Sequence, residues 1–157
     1  RYLHEVLKLQ DYRVTDTEKG AIPMWDHPFE RRVGQHVLNI GTRGGATKPS
    51  TGYTFIRTQH DAARITESLR SEGHPFAAVR PSGRYATYDT MLLQILYRRG
   101  HLAERIFTDL FRHNPVGRLL RFLDEETTPL EDLRVMASVP PEPFLRAFWR
   151  TKVQGRV

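Results

Sequence analysis

The chain has 157 residues, 39% hydrophobic and 27% charged, with 24 Lys and Arg against 18 Asp and Glu for a net charge of +6. That length can bury one core, while the absence of cysteine excludes a disulfide framework and any cysteine-ligated metal. No run is long enough to span a bilayer, and no signal peptide is visible.

In chain order, residues 2–9 read as the end of a helix, and residues 12–15 favour a strand through their alternating large and β-branched side chains. Gly20 turns the chain into Ala21-Ile22-Pro23-Met24, and residues 25–34 read as a loop. Val37, Leu38 and Ile40 predict a buried strand. Gly41, Gly44 and Gly45 then permit backbone geometry closed to other residues, and Pro49, Ser50, Thr51 and Gly52 open a helix. A helix start presents unpaired N–H groups and the positive end of its dipole, so a phosphate or a flavin edge would fit beside such a turn. A plain connector is the competing reading. The helix that follows carries Phe55, Gln59, Ala62, Thr66 and Leu69 on one stripe, with Ile56 and Ala63 beside it.

From about residue 81 onward the pattern is nearly all helical. Tyr88, Met91, Leu92, Ile95 and Leu96 match an amphipathic template, as do Val116, Leu119, Leu120 and Leu123. Leu102, Ala103, Ile106, Phe107, Leu110 and Phe111 form another wide apolar face. Asn114 and Pro115 read as a helix start, and Thr128, Pro129 and Glu131 form a capping box with proline at the first helical position. Pro140, Pro141 and Pro143 break the chain before a last apolar segment. Arginines at positions 98, 99, 105, 112, 118, 121, 134, 146 and 150 are spread among acids such as Glu104, Asp109 and Glu131. That spread argues against a nucleic-acid module and leaves a solvated face or attraction to anionic lipid headgroups.

Several kinds of chemistry are disfavoured. The seven histidines lack metal-ligand spacing, no G-x-S-x-G elbow is present, and residues 45–50 fail the P-loop spacing. Asp124, Glu125 and Glu126 end a helix and read as solvated acids rather than a catalytic carboxylate pair.

Gly20-Ala21-Ile22-Pro23-Met24, residues 37–45, and Lys48-Pro49-Ser50-Thr51-Gly52-Tyr53 resemble the C-terminal half of the lycopene cyclases, in particular the bacterial lycopene β-cyclases. Gly73-His74-Pro75-Phe76, Arg121-Phe122-Leu123-Asp124-Glu125, residues 133–138 and Pro143-Phe144-Leu145-Arg146-Ala147 extend the resemblance over essentially the whole chain. It implies an α+β fold: the C-terminal part of a flavoprotein of the FAD/NAD(P)-binding type over residues 1–75, and a helical substrate and membrane-contact region over residues 76–157. No G-x-G-x-x-G unit for a dinucleotide is present, so the chain reads as a fragment or as one half of a split cyclase.

By the same resemblance, the activity is conversion of the linear end groups of lycopene to β-rings without net redox change. Reduced FAD is the cofactor, NAD(P)H its donor, and Gly41, Thr42, Gly44, Gly45, Pro49, Ser50, Thr51, Gly52 and Tyr53 are the cofactor contacts. Partners would be lycopene and other carotenoids, a membrane surface and the missing N-terminal half, in a cytoplasmic, peripherally membrane-associated protein with no metal and no nucleic acid. The family's acidic catalytic motif lies upstream of the I-P-M segment, so the acids at positions 124–126 are not equated with it and no catalytic residue is assigned. The chain also has Gly41-Thr42 where related flavoproteins carry Gly-Asp for the ribityl chain. Another FAD-dependent isoprenoid-modifying oxidoreductase and a basic helical interaction module are the alternatives.

Overall fold

The computed structural model describes residues 1–79 and 83–154. A short helix α1 (Tyr2–Glu5) leads into a long stretch without regular structure, in which Val14, Ile22 and Trp25 are exposed. The strand expected at residues 12–15 does not form, since among the described residues no strand offers it backbone partners. Strands β1 (Arg32–Val33) and β2 (Val37–Leu38) make an antiparallel hairpin, with Arg32 opposite Leu38 and Val33 opposite Val37. Gly34 at φ +68° turns it. The buried strand predicted over residues 37–40 is therefore a two-residue surface strand, with Val37 53% and Ile40 62% exposed.

Helix α2 (Phe55–Glu72) begins at Thr54 and ends at Gly73, which takes the left-handed conformation at φ +71°. It starts three residues beyond Gly52, because residues 48–53 are spent on a turn of their own. In that turn Gly52 N–H donates to the Lys48 carbonyl (2.8 Å) and Lys48 N–H to the Tyr53 carbonyl (2.7 Å). The predicted apolar stripe is reversed: Phe55, Gln59, Ala62, Thr66 and Leu69 are exposed, whereas Asp61 and Ser68 are buried. Polar bonds decide the orientation. Arg31 Nη1 donates to Asp61 Oδ2 (2.7 Å), and Ser68 Oγ donates to the His74 carbonyl (2.6 Å) while accepting from Ala77 N–H (3.2 Å).

A 3-10 turn (Pro75–Ala77) precedes α3 (Gly83–Arg99), and a second (Gly100–Leu102) joins it to α4 (Ala103–His113). Then come α5 (Val116–Leu123), α6 (Pro129–Met136) and α7 (Pro141–Gln154). The core gathers Met91 and Ile95 of α3, Ile106 of α4, Val139 from the α6–α7 connection and Ala147 of α7, with Tyr88, Leu92, Leu102, Leu110, Met136 and Phe144 packed against it. The expected faces of α3 and α4 thus hold, except that Phe111 is 52% exposed. On α5 only Leu119 is buried, with Val116 and Leu120 exposed.

The capping box forms as read: the Thr128 side chain accepts from Glu131 N–H (3.3 Å) and Thr128 N–H donates to Glu131 Oε2 (3.0 Å). Asn114, in contrast, does not start α5. It closes α4, its Nδ2 donating to the Leu110 carbonyl (3.0 Å) and to Ser138 Oγ (2.7 Å). Pro141 and Pro143 stand in the first turn of α7, where a missing N–H costs nothing, so the proline run opens this helix instead of interrupting it. The result is a mostly helical α+β structure with one small sheet. Among the described residues no helix is long and apolar enough to cross a membrane.

Candidate functional site

The glycine turn uses left-handed backbone at Gly41 (φ +57°), Gly45 (φ +75°) and Gly52 (φ +73°). Its glycines also admit the chain's own atoms. A Cβ on Gly44 would overlap the Asn39 carbonyl, one on Gly45 would come within 3.1 Å of the Phe29 side chain, and one on Gly52 within 3.1 Å of Ile22. Gly41 alone of the four faces open space.

The nine residues expected to hold a cofactor are divided among different surroundings. Gly44, Gly45 and Pro49 line an open cleft of about 410 Å³ with Arg31 and Arg57. Ser50 and Thr51 face an apolar cavity on the other side, and Gly41, Thr42, Gly52 and Tyr53 line neither. Thr42 Oγ1 instead accepts from Thr47 Oγ1 (3.4 Å). Because Phe29 fills the space beside Gly45, the described residues offer no open flavin cradle at that glycine in this conformation.

Between cleft and cavity lies a set of buried charges. Lys48 is only 3% exposed, and its Nζ is 3.0 Å from Asp89 Oδ1 and 2.9 Å from Glu125 Oε1. Ser50 Oγ donates to Asp89 (2.5 Å), and Arg57 Nη1 to Glu125 Oε1 (2.7 Å). Burial pushes the Asp89 carboxyl above its ordinary value, an effect opposed by Lys48 and by the Ser50 hydrogen bond. Asp124 is raised as well, by burial first and by its neighbour Glu126 second. Asp89 borders both the cleft and the cavity.

The cavity measures about 70 Å³ and is walled by Leu92, Ile106, Phe107, Leu110, Phe122 and Val135 among others. Three aromatic rings meet at its edge: Tyr85 and Tyr88 at 5.8 Å, Tyr88 and Phe122 stacked at 6.0 Å, Tyr85 and Phe122 at 6.2 Å. Lys48 Nζ stands 5.7 Å from the centre of the Tyr85 ring. A second polar group holds the tyrosines: Asp132, 1% exposed, receives Arg84 and Thr127, with the Tyr88 hydroxyl at 3.4 Å. Burial raises the Tyr88 hydroxyl, and the Asp132 charge adds to that. Among the described residues no three His, Asp or Glu side chains are placed to hold a metal ion.

Sequence reasoning singled out neither Asp89 nor Arg57 and read Glu125 as solvated. Glu125 is in fact half-buried between two cations. A signal did exist for Asp89: with Tyr85 and Leu92 it shares the apolar arc of α3, where an unpaired carboxylate would be costly. Comparison with curated proteins and with solved structures returned no match. A family model described as "Lycopene cyclase protein" matches residues 1–148, nearly the whole chain, and the chain therefore belongs to the lycopene cyclase family.

Proposed function

We propose that the chain forms the end-group site of a lycopene β-cyclase, with the aromatic cavity receiving the terminus of linear lycopene and the Lys48–Asp89 pair closing its polar end. The observation that carries this reading is an apolar, aromatic-edged cavity that ends on a buried, hydrogen-bonded carboxylate, in a member of the cyclase family. Cyclisation protonates a terminal double bond, the neighbouring alkene attacks the resulting cation, and loss of a ring proton fixes the product. The faces of Tyr85, Tyr88 and Phe122 offer negative potential to that cation. Asp89, oriented by Lys48 and Ser50, opposes its charge from a site where water is largely excluded. At about 70 Å³ the cavity is well under the roughly 300 Å³ of ordinary ligand pockets, so substrate binding must spread the helices that wall it.

The cofactor belongs to the same proposal and rests on the resemblance alone: reduced FAD, maintained by NAD(P)H, would supply negative charge near the cation when bound, and no role of Tyr85, Tyr88, Asp89 or Lys48 depends on it. With no G-x-G-x-x-G turn in the chain, none of these residues is assigned to the dinucleotide. Isolated chain that retained stoichiometric flavin through purification would contradict that assignment. The protein acts at the cytoplasmic membrane surface, where its carotenoid substrate dissolves.

In a complete cyclase expressed in lycopene-producing cells, Asp89→Asn lowers β-carotene formation about a hundredfold, as for loss of one charge-stabilising group. Tyr88→Leu, which removes an aromatic face from the same cavity, also lowers it. Wild-type β-carotene from both soluble variants would place the end group elsewhere, and a product with an altered hydrogen count would favour an isoprenoid oxidoreductase.

A further inference from the structure

We propose that Asp89 is the general base of the reaction: its carboxylate takes the ring proton whose loss fixes the product and releases it into the open cleft on its other side. The inference rests on the end-group reading of the aromatic cavity and adds to it a residue that chooses between products. Once the ring has closed, its cationic carbon is flanked by a ring CH, a ring CH2 and a methyl group. Proton loss from each places the double bond differently, and only loss from the ring CH gives the β-ring. A base held at a fixed place therefore decides which ring forms.

The walls of the cavity leave one candidate. Most are hydrocarbon, such as Leu92, Ile106 and Val135. Ser50, Thr51, Tyr85 and Tyr88 bring neutral hydroxyls, and burial makes that of Tyr88 harder still to ionise. Lys48 Nζ is committed to Asp89 and Glu125, at 3.0 and 2.9 Å. Among the described residues Asp89 is the one carboxylate in the cavity wall.

Its surroundings suit it to take a proton and pass it on. Asp89 is 4% exposed, and burial raises its affinity for a proton. It lines the cleft of about 410 Å³ as well as the cavity, so the proton has a way out that avoids the cation. Lys48 and Arg57 balance Asp89 and Glu125, and a proton on Asp89 leaves this group with one positive charge in excess, which favours return of the carboxylate. Ser50 Oγ, at 2.5 Å, and Lys48 Nζ fix the place of the carboxylate, as a choice between neighbouring hydrogens requires. The step balances. The C–H bond breaks, its electron pair becomes the ring double bond, and the proton forms an O–H bond on Asp89 before solvent in the cleft carries it away.

Rate alone does not separate a base from a stabilising charge, because Asp89→Asn removes both, but the identity of the product does. In a complete cyclase expressed in lycopene-producing cells, Asp89→Asn should lower total ring formation about a hundredfold. The residual rings should divide between the β-ring and isomers of the same mass whose double bond lies outside the polyene conjugation. Those isomers absorb at shorter wavelength, so chromatography with absorption and mass detection separates them. Asp89→Glu keeps the carboxylate but moves it by one methylene, and should recover part of the lost yield while still releasing isomers. Should Asp89→Asn not accumulate as soluble protein, Asp89→Glu carries the same product test. Residual rings that are all of the β type in every soluble variant would overturn the base assignment and leave the end-group site standing. Wild-type yield with unchanged rings in both variants would instead remove the end-group site itself.

Discussion

Glu125 shows how one residue trades backbone comfort for charge. It occupies the position after the α5 C-cap in a Schellman motif, with Glu126 N–H donating to the Arg121 carbonyl (2.8 Å) and Glu125 N–H to that of Phe122 (3.2 Å). Glycine is the usual occupant there. Glu125 instead holds φ +68°, at a cost of roughly 1–2 kcal/mol, and reaches back to Lys48 and Arg57. Glu125→Ala keeps the strain and loses the carboxylate, so urea unfolding should show a loss of about 3 kcal/mol. Glu125→Gly relieves the strain and should lose about 1 kcal/mol less. Identical losses would mean that the left-handed backbone carries no strain.

Asp89 makes a prediction of opposite character, because its folded carboxyl binds a proton more tightly than the ordinary value of 3.8. Its contribution favours the folded state most at low pH and declines as pH rises through the folded value. The Tm of Asp89→Asn relative to wild type should therefore improve from acid to neutral pH. A difference that stays flat would remove the desolvation argument.

At the scale of elements, the amphipathic pattern worked where a hydrophobic neighbour existed and failed where polar partners took over. Helices α3 and α4 turned their expected faces to each other, and the capping box set the start of α6. For α2 the same pattern pointed the wrong way, since Asp61 and Ser68 found hydrogen-bond partners that are invisible in a periodicity count. Phe55→Ser and Leu69→Ser should each change stability by less than about 0.5 kcal/mol, as exposed sites do. Ile106→Ala, 1% exposed in the core, should cost about 3 kcal/mol. Chemical denaturation of the three variants measures this, and comparable losses at Phe55 and Ile106 would show that α2 buries its apolar stripe after all.

At the scale of the whole molecule, basic and apolar side chains share the surface of the helical region. Val116 and Leu120 of α5 and Leu130 and Leu133 of α6 are exposed on helices that pack together, beside Arg118 and Arg134. Arg121 is engaged by Glu131 and is less available to a lipid. Each basic residue near an anionic surface contributes about 1 kcal/mol, so Arg118→Glu/Arg134→Glu should weaken vesicle binding at low salt by roughly thirtyfold. Binding to neutral vesicles should not respond. Sedimentation that ignores both the substitutions and the lipid charge would mean that these arginines only solvate a face.

The sequence alone determined the helices of residues 83–154, the capping box at Thr128, the glycines at 41, 45 and 52 and the family, because each rests on local chemistry or on a contiguous motif. Which residues form the site was decided only by the tertiary structure. Lys48, Asp89 and Glu125 lie 41 and 77 residues apart along the chain, counted from Lys48, and no local rule pairs them. What pairs them is the desolvation of Lys48: an ammonium excluded from water requires carboxylates within about 3 Å, and the fold alone can bring them from α3 and from the end of α5. The same logic reversed α2, since burial and charge pairing are properties of what surrounds a residue in space.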